Sequence, residues 1–117
     1  MLDELSKILK QVEKISEKYE IFSNAFRILI LAILYTRGPT KWKDLKQKLQ
    51  EILNAEVNPN SLNFHLRRLE KEKLVKKIME GNTAYYTKND EIEESYKQII
   101  EKIIDEIKYN PGENNGL

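Results

Sequence analysis

The side chains of this 117-residue sequence best suited to chemistry lie in Asn58 to Glu72, NPNSLNFHLRRLEKE. Asn58 is a strong helix N-cap, because its side-chain oxygen can accept from a backbone N–H one turn further on. Pro59 follows at the first helical position, where its missing donor costs nothing. Leu62, Leu66 and Leu69 then recur at helical spacing and make one apolar stripe. The other face carries Asn60, Ser61, Asn63, Phe64, Arg67, Arg68 and Lys71. Amides, a hydroxyl and arginines in this order can hydrogen-bond base edges in a DNA major groove, while a helix N-terminus and positive charge attract phosphate. The same pattern fits an ordinary amphipathic surface helix, so the surrounding elements must decide.

Other chemistry finds little support. Asp90, Glu91, Glu93 and Glu94 cluster, yet acidic side chains in a first helical turn are expected from the helix dipole. No His or Cys joins them. There is no Gly-rich phosphate loop, no Ser-His-Asp spacing and no metal constellation. Neither an enzyme nor a cofactor is expected. His65 sits beside the leucine stripe and is expected to be structural, hydrogen-bonded at the edge of a core. Phe64 can pack on a thymine methyl or lie against the preceding helix. Trp42 reads as a packing residue.

Composition sets the frame. With 40% hydrophobic and 33% charged residues the chain is globular, one domain with appended helices. Its net charge is only +1, so a nucleic-acid face has to come from segregation. Residues 37–88 carry 12 basic and 6 acidic groups, whereas residues 89–117 carry 3 and 8. A basic middle beside an acidic end points to a binding region flanked by something else. There is no Cys, which excludes disulfides and thiolate metal sites and makes a cytoplasmic home the simplest expectation. The start, MLDELSKILK, is unlike a secretory signal. The longest apolar run, Ile28 to Tyr35, is 8 residues, far below the roughly 20 that span a bilayer. Abundant Lys, Glu and Ile without Cys agree with a thermophilic source.

Several elements must position the Asn58 helix. Residues 2–21 read as a helix with Leu2, Leu5, Leu9 and Val12 on one face, widened by Ile8, Ile15 and Tyr19. Ser23 is the expected cap of a second helix that stops at Gly38-Pro39 and is apolar nearly all round, hence buried nearly all round. Thr40 is the expected cap of a third, with Trp42, Leu45, Leu49, Ile52 and Leu53 inward and Lys41, Lys43, Lys46 and Lys48 outward. After the Asn58 helix, Leu74 to Met79 and Thr83 to Thr87 form a hairpin around Glu80-Gly81-Asn82. Asn89 or Asp90 is expected to cap a last helix reaching Tyr109. Its seam runs through Ile92, Tyr96, Ile99, Ile103 and Ile107.

This order of elements is that of a winged helix-turn-helix domain, and residues 22–88 resemble ArsR-type and related MarR-type regulators of archaea and bacteria. FSNAFRILILAILYTRGP resembles their first helix, SLNFHLRRLEKEKLV is similar to their recognition-helix run, and EGNTAYYT matches the wing. The resemblance implies a homodimer that binds palindromic operators and represses or activates transcription. Three departures stand out. The stretch from Leu49 to Asn58 is longer than usual. Lys73 replaces a common glycine, which implies a non-Gly residue in a left-handed conformation. The wing tip carries Glu80, Gly81 and Asn82 where arginines are frequent. The metal-sensing branch does not transfer, because Trp42-Lys43-Asp44-Leu45 stands where paired cysteines would be, and the chain has one His.

The expected fold is therefore mainly α with a small β-hairpin (α+β). It divides into an N-terminal dimerisation helix (1–21), a winged helix-turn-helix (22–88), a C-terminal dimerisation helix (89–109) and a disordered tail (110–117). The expected partners are double-stranded DNA and a second copy, with no membrane. No residue set indicates an effector. The expected DNA-binding residues are Lys41, Lys43, Asn58, Asn60, Ser61, Asn63, Phe64, Arg67, Arg68, Lys76, Lys77 and Asn82. Two rivals remain. Winged helices also serve as protein–protein modules, which the near-neutral charge allows. RNA binding is the other, although the aromatic residues do not read as a stacking platform.

Overall fold

Five helices, one 3-10 turn and three short strands occupy residues 2–108, the part of the chain that the computed structural model describes. In order these are α1 (Leu2–Tyr19), the 3-10 turn Glu20–Phe22, α2 (Ala25–Arg37), β1 (Thr40–Lys41), α3 (Trp42–Leu53), α4 (Pro59–Lys71), β2 (Val75–Glu80), β3 (Thr83–Lys88) and α5 (Glu94–Lys108). The expected last turn to Tyr109 and the tail 110–117 lie outside the described residues.

The core forms where three helices meet. Ile30, Leu31 and Leu34 of α2, Leu45 and Leu49 of α3, and Leu62, Leu66 and Leu69 of α4 are all fully buried. Removing each such side chain from water stabilises the fold by about 1.5–3 kcal/mol. The sheet has the order β1-β3-β2, all antiparallel, so the expected hairpin gains a third strand. Gly81, at φ 61, is the first of the two turn residues between Glu80 and Thr83, the placement a type II′ hairpin turn requires.

Three expected helix caps are corrected. Asn24, not Ser23, caps α2: its Oδ1 accepts from the Arg27 N–H at 3.1 Å. The Ser23 hydroxyl instead donates back to the Glu20 carbonyl at 2.7 Å, closing the 3-10 turn that ends the first helical segment. Thr40 does not cap α3, because its backbone pairs with Tyr86 and its hydroxyl donates to the Gly38 carbonyl at 2.9 Å. The Asn89 side chain accepts from the Glu91 N–H at 3.1 Å, a local turn that delays the start of α5 to Glu94.

Two of the three departures from the resemblance are absorbed by local bonds. α3 runs to Leu53, and Asn54 ends it at φ 52, a conformation asparagine tolerates. The Gln50 side chain then accepts from Val57 N–H at 3.1 Å, fixing the loop before α4. Lys73 does adopt a left-handed φ of 60. Around it Lys73 N–H bonds the Glu70 carbonyl and Leu74 N–H the Leu69 carbonyl, each at 2.9 Å, so the Schellman pattern that satisfies a helix end forms without glycine.

The two outer helices differ. α5 lies on α2 through Tyr96, Ile100 and Ile104, with Ile99 and Ile103 only partly covered and Ile107 exposed. α1 is held only at its end. Tyr19 packs edge-on against Tyr96 with ring centroids 6.1 Å apart, the Tyr96 hydroxyl donates to the Lys18 carbonyl at 2.9 Å, and Lys18 pairs with Glu93 at 3.0 Å. Upstream, Leu5, Ile8, Leu9, Val12 and Ile15 are 54–63% exposed. Among the described residues no single helix is long and apolar enough to cross a membrane.

Candidate nucleic-acid interface

α4 begins as its sequence requires. The Asn58 side chain accepts from Asn60 N–H at 2.8 Å and Ser61 N–H at 3.3 Å, with Pro59 at the first position. Its leucine stripe is locked into the core, so the orientation of the outer face is fixed. On that face Asn60, Ser61, Phe64 and Arg67 are exposed, and among the described residues none of the three polar side chains has an intramolecular partner. Phe64 is 49% exposed and touches His65 edge-on, with centroids 5.3 Å apart. It faces outward rather than lying buried against the preceding helix.

Three of the expected contact residues are otherwise engaged, the first being Asn58, whose side-chain oxygen is taken up by the cap of α4. Trp42 Nε1 donates to the Asn63 side-chain oxygen at 2.9 Å, tying the start of α3 to α4 and leaving only the Asn63 NH2 group outward. Arg68 is ion-paired with Glu20, which draws its guanidinium towards the 3-10 turn instead of outward.

Around α4, Lys41, Lys43, Lys76, Lys77 and Asn82 are exposed. None of these lysines has a carboxylate partner within 4 Å among the described residues, and neither does Arg67. Lys76 and Lys77 do not act as a pair, because successive strand residues point to opposite faces. In the observed register Lys76 stands on the Lys41 and Tyr85 side, and Lys77 on the Tyr86 side. Lys41 also lies 6.0 Å from the centre of the Tyr85 ring, at the limit of a cation–π contact.

Beneath this surface lies a charged cluster that reading the sequence missed. Arg27, only 3% exposed, donates Nε to the Ile21 carbonyl at 2.8 Å and Nη2 to the Glu20 carbonyl at 3.2 Å. The same Nη2 reaches Glu20 Oε1 at 3.1 Å, and Nη1 lies 3.2 Å from His65 Nδ1. His65 also packs on Phe26, with centroids 5.1 Å apart, so it is held at the core edge as expected. The signal was available: Arg27 is the one charge in α2 before its terminal Arg37, and a buried charge needs partners.

The cluster has a pH signature. Arg68, and behind it Arg27, hold the Glu20 carboxyl below its ordinary 4.5. Burial, and then the charges of Arg27 and Arg68, push His65 below 6.5. Both folded-state values lie under the unfolded ones, so each contribution is complete above the unfolded value and is lost as pH falls through the folded one. The melting temperature should therefore decline from just below pH 6.5 as His65 protonates, and again below pH 4.5 as Glu20 does. Thermal melts from pH 8 to 3.5 check this; a level profile across both windows would contradict the geometry.

α2, β1, α3, α4 and the β2–β3 hairpin, in this order and with β1 completing the sheet, make a winged helix. The chain shares that fold with known regulators. It is similar to RosR of H. salinarum at 25% identity and a TM-score of 0.58, over 68% of this chain and 70% of that one. HlyU of Vibrio cholerae matches at 24% identity and a TM-score of 0.55, over 80% and 93%. Reduced AbfR, solved bound to DNA, matches at 18% and 0.50, over 90% and 79%. At these identities the likeness is one of fold. No family model and no curated protein matches the sequence.

Proposed function

We propose that this chain is a DNA-binding transcriptional regulator that acts as a homodimer and reads the major groove with α4. The observation that carries the reading is the outer face of α4. Asn60, Ser61 and Arg67 are exposed there without intramolecular partners beside Phe64, on a helix whose inner face is locked into the core. Lys41, Lys43, Lys76 and Lys77 add exposed cations without a carboxylate partner among the described residues, Lys41 and Lys76 on one face of the sheet and Lys77 on the other. The DNA-bound structure of AbfR, which has the same fold, supports the assignment. Asn60, Ser61 and Arg67 approach base edges, Phe64 approaches a thymine methyl, and the lysines approach phosphates. Asn63 contributes through its free NH2 alone.

Dimerisation supplies the missing cover for α1. Five exposed apolar side chains on one helical stripe are more than a monomer leaves in water without use. The same helix interleaves Lys7, Lys10, Lys14 and Lys18 with Glu4, Glu13 and Glu17, so an antiparallel second copy meets opposite charges along its edges. α5 adds the outward Ile99, Ile103 and Ile107. A two-fold pair then sets half-sites about 10 bp apart, or a multiple of that.

Selection of bound duplex from a random pool, followed by mobility shift against unrelated DNA, tests the reading. Arg67→Ala should cost about 1–3 kcal/mol on the selected duplex and relax preference at one base pair. Lys43→Ala should weaken all duplexes alike and reduce the salt slope by about one unit. Equal, sequence-independent losses for both would reduce α4 to an electrostatic face. Absence of any binding at low salt would favour a protein–protein module instead.

A further inference from the structure

We propose that Glu20 is a positioning residue that fixes the reading helix α4 against the arm α1. The idea goes beyond DNA recognition and rests on the proposed function only for its consequence at the operator. Glu20 opens the 3-10 turn that joins α1 to α2. Its two carboxylate oxygens are held by different helices: Oε1 by Arg27 of α2 at 3.1 Å, and Oε2 by Arg68 of α4. Arg27 is itself immobilised, buried and bonded to the Ile21 and Glu20 carbonyls and to His65 of α4. One carboxylate thus ties together the base of the arm, the core and the reading helix.

The leverage comes from position. Among the described residues, α1 touches the rest of the fold only at its C-terminal end, through Tyr19, Lys18 and the turn that Glu20 begins. A small change of angle at that hinge moves Leu5, 15 residues up the chain at about 1.5 Å each, by several ångströms. If α1 carries the two-fold contact, the same angle sets the separation of the two α4 helices across the dimer, and hence which half-site spacing fits. Arg68 acts here as an internal strut, so its absence from the outer face is part of the device. A Glu–Arg pair this exposed adds little to stability, whereas a bidentate carboxylate bridging two guanidiniums fixes geometry.

The chain has no Cys, so spin labels can be placed without background. With Lys14→Cys on α1 and Lys71→Cys on α4 labelled, and labelled protomers diluted into unlabelled ones, electron–electron distance measurements report the arm–helix distance within a protomer. The native background should give one narrow distribution. Glu20→Gln and Arg68→Met should each broaden it, and the double variant should broaden it no further than either alone. An unchanged distribution in Glu20→Gln overturns the proposal whether or not the protein binds DNA. On DNA, the native dimer should discriminate strongly between the selected duplex and one with two base pairs inserted between half-sites. Glu20→Gln should lose most of that discrimination while binding a single half-site at least as well. Retained spacing discrimination overturns the operator consequence, and failure of the native protein to select any duplex overturns the functional reading alone.

Discussion

Replacing Leu9 and Val12 together by glutamate is expected to convert the proposed dimer into a folded monomer. In the single chain these two side chains are 58% and 54% exposed, so Leu9→Glu and Val12→Glu remove little packing from the protomer. Glutamate is also a good helix former. In the two-fold pair the substitutions place four carboxylates in an apolar seam. Burying an ionised group without a partner costs several kcal/mol even after relaxation. At 1.4 kcal/mol per tenfold, the dimer dissociation constant should rise on the order of a thousandfold or more. Light scattering across a dilution series, with far-UV circular dichroism as the control for folding, measures this. Operator affinity should fall in parallel, since a monomer engages one half-site at a time. A variant that stayed dimeric would move the contact to the outward isoleucines of α5 and leave the α1 stripe without a role.

The elements that stand on periodicity were legible in the sequence. The Asn58 cap, Pro59 and the Leu62–Leu66–Leu69 stripe specify α4 from purely local information, and the structure keeps all of them. Lys73 could be expected in a left-handed conformation because it stands where the resembling regulators commonly have glycine, and it adopts one. What escaped was set by tertiary partners. Thr40 has the chemistry of a cap, but the edge of β3 recruits its backbone, and no local rule records that its strand partner, Tyr86, will arrive 46 residues later. Arg68 and Asn63 have the residue types and helical phase of DNA contacts. They are claimed instead by Glu20 and Trp42, from segments 48 and 21 residues away. Residue type states what a side chain can bind, and the fold decides whether it is still available.

Arg27→Met should be the most damaging single change outside the leucine core, although the side chain is charged and methionine is of similar length. The guanidinium is 3% exposed and donates to two main-chain carbonyls, of which Ile21 belongs to a buried residue. Methionine leaves the buried Ile21 carbonyl without its donor, at about 1–3 kcal/mol where water cannot reach it, whereas the Glu20 carbonyl keeps the Ser23 hydroxyl. It also removes the partner of His65 Nδ1. Glu20 fares better, because its carboxylate is partly exposed and keeps Arg68, so it contributes less to the loss. The expected total is about 3–5 kcal/mol, near the cost of breaking a buried ionic network from one side. For a chain of this size that lowers the melting temperature by roughly 15–30 °C. Arg27→Lys should recover only part of it: an ammonium restores the charge but not the planar fork that reaches Ile21, Glu20 and His65 from one group. Thermal melts of native protein, Arg27→Lys and Arg27→Met should therefore fall in that order. A methionine variant as stable as the native protein would mean that the network sets geometry alone and contributes nothing to stability.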